Sequence, residues 1–148
     1  MTKIYGITIL NNSLSTQPVS LAEVQDVSSF NYFQRKGAQE FMTFTSNLVT
    51  QKTQKGQRQS VKQEEYMCHC FCRQDGLAGV LLTNDEYPNR IAFTLISKLL
   101  EEFSQKVPSW NTVQTNCTSG THDKFPALGQ WLVKYRMDEK ILKSMFLK

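Results

Sequence analysis

The spacing of apolar residues changes along the chain, and each change marks an element. Residues 3–10, Lys-Ile-Tyr-Gly-Ile-Thr-Ile-Leu, are dominated by β-branched and aromatic side chains and read as a strand. Asn11 to Thr16 is a polar turn, and Pro18 to Val24 is a second strand. Proline cannot donate to a ladder, so this strand belongs at a sheet edge. The period then lengthens to three or four. Phe30, Phe33, Gly37, Phe41, Phe44 and Leu48 form one helical stripe, with Asp26, Ser28 and Ser29 as N-cap candidates. The basic stretch 50–58, with Gly56, closes this helix. Three strands follow, at 57–63, 66–73 and 77–83, the last two joined by Gln74-Asp75-Gly76, a strong hairpin signal. Asn84-Asp85-Glu86, with Pro88 in the first turn, opens a helix over 88–106. Its stripe is Ile91, Leu95, Ile96, Leu99, Leu100 and Phe103. Pro108 stops it, a long polar loop fills 108–125, and a last helix is expected over 126–146. That helix carries Leu128, Trp131, Leu132 and Tyr135, then Ile141, Leu142 and Met145.

The first helix has a second stripe, Ala38, Met42, Thr45 and Val49, turned about 100° from the first. A surface helix with one apolar face does not need both. Either the helix lies buried in a wide groove, or one stripe packs on the sheet while the other faces a groove for a partner. The element order is β-β-α-β-β-β-α-α. Short turns between consecutive strands argue for an antiparallel sheet, and helices on both faces would cover it. The expected fold class is α+β, as an α/β/α layered domain.

Chemistry narrows the picture by exclusion. The chain has 148 residues, 40% hydrophobic and 20% charged, which suits one globular domain. The net charge of +4 does not by itself imply nucleic acid. Lys52, Lys55, Arg58 and Lys62 form a run read either as a solvated turn or as a patch for anionic lipid or an acidic partner. No secretory signal or membrane-spanning run is evident, so a cytosolic location is expected. The sequons at Asn11 and Asn116 are then background matches.

Cys68, Cys70 and Cys72 alternate along a strand about 6.6–6.8 Å apart, too far for all three to converge on a zinc ion. They read as buried apolar residues and not as metal ligands. His69 reads as a hydrogen-bonded strand histidine. Ser119, His122 and Asp123 share one loop and lack the separate rigid supports of a triad. Glu101 and Glu102 point about 100° apart on a helix and read as a solvated face. No cofactor motif appears. The chain reads as a binding module, not an enzyme.

Several runs go further. They are Asp26-Val-Ser-Ser-Phe30, Phe33-Gln-Arg35, Gln39-Glu-Phe-Met-Thr-Phe-Thr-Ser46, Gly56-Gln-Arg-Gln-Ser-Val61, Glu86-Tyr-Pro-Asn-Arg90, Ala92-Phe-Thr-Leu95 and Glu102-Phe103. In this order they resemble the longin domain of the Ykt-type, lipid-anchored R-SNAREs, over residues 1–135. The resemblance implies a longin (profilin-like) fold: a five-stranded antiparallel sheet with one helix on one face and two on the other. It implies a role in vesicle-mediated transport between the ER, Golgi and endosomes, with peripheral contact to those membranes. The docking surface it implies lies around the first helix and third strand, at Phe41, Met42, Phe44, Leu48 and Val61. Its occupant would be a SNARE helix, the family's own or a cognate one, or an acyl or prenyl chain. A related architecture would suit a small longin-like subunit of a coat or tethering complex. The family continues into a SNARE helix and ends in prenylated cysteines. Residues 136–148 look off-family, as a tail continuing the last helix, and no cysteine follows Cys117. The SNARE helix and anchor are therefore expected to be missing from this polypeptide.

Overall fold

The computed structural model of the chain describes residues 3–13, 17–114 and 125–135, with backbone alone at 134 and 135. The strands are β1 (Ile4–Asn11), β2 (Val19–Gln25), β3 (Arg58–Gln63), β4 (Tyr66–Cys72) and β5 (Leu77–Asn84). The helices are α1 (Tyr32–Gln51), α2 (Asn89–Lys106) and α3 (Leu128–Tyr135), with a 3₁₀ turn at Trp110–Thr112. The sheet order is β2-β1-β5-β4-β3, with every neighbouring pair antiparallel. This is the expected α+β arrangement. β2, with Pro18 just before it, lies at one edge, and β3 lies at the other.

Period-two alternation splits the strands between two cores. Ile7, Ile9, Leu77 and Leu81 face α2 and α3, where they meet Ile91, Leu95, Leu99, Phe103, Phe125 and Leu128. Leu10, Cys68, Cys70, Cys72, Val80 and Leu82 face α1, where they meet Met42 and Val49. Two irregularities in β1 adjust this division. A register shift between Ile9 and Leu10 lets the adjacent Leu21 and Ala22 both join the α2 side. A second shift, between Ile4 and Gly6, turns Tyr5 toward the α1 side, as a bulge does when it re-aims a side chain. Gly79 lies where α2 presses closest to β5: a Cβ there would fall 2.8 Å from the Ile96 Cγ2 methyl.

Several local expectations are corrected. The cap of α1 is Asn31, whose side chain accepts from the Gln34 N–H at 3.0 Å, and not Asp26, Ser28 or Ser29. Asp26 is occupied by a turn, accepting from the Ser28 N–H at 3.0 Å and from its hydroxyl at 2.6 Å. Pro88 occupies the cap position of α2, not its first turn. Glu102 is only half-exposed, accepting from Trp131 Nε1 at 2.7 Å and tying α3 to α2. Asn11 is buried and donates to Trp110, Asn111 and Val113 carbonyls, so its sequon is inaccessible. Ser119, His122, Asp123, Asn116, Cys117, the segment around Ile141, Leu142 and Met145, and the tail 136–148 lie outside the described residues.

Candidate docking groove

α1 is about 30 Å long at 1.5 Å per residue, and its two stripes meet different fates. The inner face is Met42, Thr45, Ser46, Val49 and Thr50, all buried. The more hydrophobic stripe points outward: Phe33 is 92% exposed, Phe44 66% and Phe41 41%, with Tyr32 at 79%. Leu48 is half-buried. Large aromatics this exposed on a small domain mark an interaction surface more often than chance decoration.

The flanks of α1 explain the choice. Toward β2 the helix is fastened by polar bonds. Thr43 Oγ1 donates to Glu23 at 2.7 Å, Gln25 donates to the Gln39 carbonyl at 3.2 Å, and Asn47 donates to the Pro18 carbonyl at 3.0 Å. These bonds satisfy groups that would be costly to bury alone. The helix packs mainly over β4 and β5, and beside its N-terminal half, toward Tyr66 and the β3–β4 turn, it leaves a space unfilled.

That space is a groove of about 500 Å³ lined by Tyr5, Phe30, Ala38, Phe41, Met42, Tyr66 and Leu82, with Gln34 and Glu64 at its polar rim. Its wall is a chain of aromatic contacts. Tyr5 meets Tyr66 edge-on at 5.1 Å, and Phe30 lies 6.2 and 6.3 Å from Tyr5 and Tyr66. Phe41 lies 6.5 Å from Tyr66. Val61 packs against the same core from β3. Of the residues named from the sequence, Phe41 and Met42 line this concavity, Met42 as a buried part of its floor, whereas Val61 packs on the adjoining core without lining it. Phe44 and Leu48 continue the apolar surface along α1. Tyr5 and Tyr66 have no place in the apolar stripes read from the sequence, and Phe30 enters only as the first residue of the α1 stripe. Tyr5 could not have had one, because the bulge that re-aims it leaves no trace in the apolar pattern.

The four cations from the sequence do not form one patch. Lys52 caps the C-terminus of α1, with Lys55 just beyond it. Arg58 lies on the opposite face of the sheet, its Cζ 5.2 Å above the Phe71 ring and 5.8 Å from Phe93, and alternation along β3 puts Lys62 on that face too.

The remaining thiols and imidazole among the described residues are buried. Cys68, Cys70 and Cys72 are unoxidised and buried under α1, and burial pushes all three thiols up, away from the thiolate that nucleophilic chemistry needs. His69 is also buried. Its Nε2 lies 3.1 Å from Thr83 Oγ1 and its Nδ1 2.9 Å from Ser60 Oγ. Thr83 already donates to the Asn84 carbonyl, so the neutral ring donates through Nε2 and accepts at Nδ1. Among the described residues no group of three His, Cys, Asp or Glu could hold a metal ion. None of the described helices is long and apolar enough to cross a membrane.

A sheet with this order, one helix on one face and two on the other, agrees with comparison to known families. Residues 27–125 match the Longin model, a regulated-SNARE-like domain. The chain belongs to the longin family. This longin domain is 41% identical over 136 residues to the synaptobrevin homologue ykt6 of Schizosaccharomyces pombe, covering 90% of the present chain and 66% of the relative. The synaptobrevin homologue YKT6 of Debaryomyces hansenii is 40% identical over the same shares. That of Yarrowia lipolytica is 42% identical over 106 residues, 72% of this chain and 52% of the relative. The chain thus spans about two thirds or less of the length of these relatives.

Proposed function

We propose that this longin domain works in vesicle-mediated transport as a non-catalytic regulator of an R-SNARE, on the cytosolic side of ER, Golgi or vesicle membranes. Its groove beside α1, at the end of the sheet that carries the β3–β4 turn, receives a SNARE helix, from its own family or a cognate SNARE, or an acyl or prenyl chain. The observation that carries this reading is the outward stripe of α1, where Phe41 and Phe44 stand exposed beside an aromatic-lined groove. An amphipathic helix presents apolar anchors at three- and four-residue spacing and can cover such a surface.

The test is a titration with a synthetic R-SNARE helix. Saturable binding is expected, and Phe44→Glu is expected to weaken it at least about 30-fold, the size of a hot-spot loss of about 2 kcal/mol. Because Phe44 is mostly exposed, the same substitution should change folding stability by no more than about 0.5 kcal/mol. Binding indifferent to the substitution rules out the groove.

A further inference from the structure

The groove is not electrically neutral along its length. Pairing of Tyr66 with Asn84 brings the β3–β4 turn and the β5–α2 loop to one end of the sheet. That end carries Glu64 and Glu65 in the turn and Asp85 in the loop, beside Tyr5 and Tyr66. The negative potential is felt there: both phenols are held above their ordinary range, first by burial and then by neighbours that include Glu65. Lys52 and Lys55 lie at the other end, past the C-terminus of α1. Glu64 itself lines the groove, and among the described residues its carboxylate has no hydrogen-bond or ion-pair partner. It also has φ +56°, a left-handed conformation that suits glycine or asparagine better than glutamate.

We propose that Glu64 is a specificity residue of the groove: it pairs with a lysine or arginine at one end of an incoming amphipathic helix, fixing that helix's direction and favouring it over a fatty chain. The proposal rests on the groove reading above and adds the occupant's class and polarity. A fatty acid brings a carboxylate to this mouth and is repelled, whereas a lysine or arginine there gains a charge-assisted hydrogen bond. The helix then lays its apolar stripe along Phe41 and Phe44, and its far end meets Lys52 and Lys55 with acidic residues.

Two synthetic helices with the same apolar stripe separate these ideas, one ending in an Arg-Lys pair and one with Gln-Gln in its place, alongside decanoate as a fatty-chain probe. The intact protein is expected to bind the basic helix 3–10-fold more tightly than the neutral one at low salt, with the gap closing at high salt. Glu64→Gln should bring the two helices level by weakening only the basic one. Glu64→Gly should do the same while leaving the urea midpoint unchanged or higher, since glycine accepts the backbone conformation. Decanoate should bind more weakly than the basic helix. Equal affinity for both helices, each still sensitive to Phe44→Glu, overturns the role of Glu64 and leaves the groove standing. Decanoate binding more tightly than the basic helix overturns the choice of a helix. Failure of both helices and decanoate to bind overturns this proposal and the groove reading together.

Discussion

Phe103→Ala is expected to remove about 3–5 kcal/mol of folding stability, the range for truncating a buried phenylalanine whose surroundings cannot collapse. Phe103 is fully buried in the last turn of α2, and its ring meets Phe125 edge-on at 5.4 Å. Phe125 leads into α3, so the lost ring leaves a cavity and also loosens the anchor of a second helix. The neighbours are strands and helix turns that already fill their space, so the void persists. For a domain whose total stability is about 5–15 kcal/mol, the variant should remain folded in buffer and unfold at a much lower urea concentration. Phe33→Ala offers the contrast, since it removes the same ring from a site 92% exposed and should shift stability by no more than about 0.5 kcal/mol. Urea unfolding of the two variants beside the parent checks both. A loss below about 1.5 kcal/mol for Phe103→Ala would mean that the α2–α3 core is not packed as described.

Acid should act on the domain through His69. Burial pulls its imidazole down from 6.5 to about 4, because a charged ring between Ser60 and Thr83, with Phe93 edge-on at 5.8 Å, would lose its hydration. Above pH 6.5 the ring is neutral in the folded and unfolded chains and contributes no pH dependence. As pH falls through 6.5 the unfolded chain takes the proton first, so stability falls with pH until the folded ring is also protonated near pH 4. At about 1.4 kcal/mol for each pH unit of that gap, the loss approaches about 3 kcal/mol. NMR titration of the imidazole carbon-bound protons should give a midpoint near 4 for His69, and a midpoint near 6.5 would contradict its burial. In urea unfolding, His69→Gln should cost stability at pH 7.5, and the gap to the parent should narrow by about 2–3 kcal/mol at pH 4.5.

Strands and helices were legible in the sequence because their apolar periods are clean. The stripe from Ile91 to Phe103 lies inside α2, and the Asp75-Gly76 turn lies between β4 and β5, with Gly76 at φ +94°. The two stripes of α1 were equally legible, but not which one faces the sheet. Hydrophobicity alone would bury Phe33, Phe41 and Phe44. The chain instead buries Thr45, Ser46 and Thr50. The orientation is set by partners distant in sequence: Glu23, Gln25 and Pro18 bond one flank. Thr50 and Thr53 return their hydroxyls to the carbonyls of Ser46 and Val49, which satisfies part of this polar inner face, while the buried Ser46 hydroxyl is left without a partner among the described residues. Long-range hydrogen bonds of this kind leave no periodic signal. The same limit hid Tyr5, whose direction depends on a bulge, and Glu102, whose partner Trp131 lies 29 residues away. The basic run looked continuous in sequence, but strand alternation sends Arg58 to the opposite face.

The outward turn of the phenylalanine stripe is the claim from which the functional reading follows, and residue-resolved mapping tests it most directly. Isotope-labelled protein, titrated with an R-SNARE helix, should show its largest amide and aromatic shifts at Phe41, Phe44, Leu48, Val61 and Tyr66, with Leu95, Leu99 and Phe103 unmoved. Shifts confined to the α2 face, with Phe41 and Phe44 unmoved at saturation, would contradict the account.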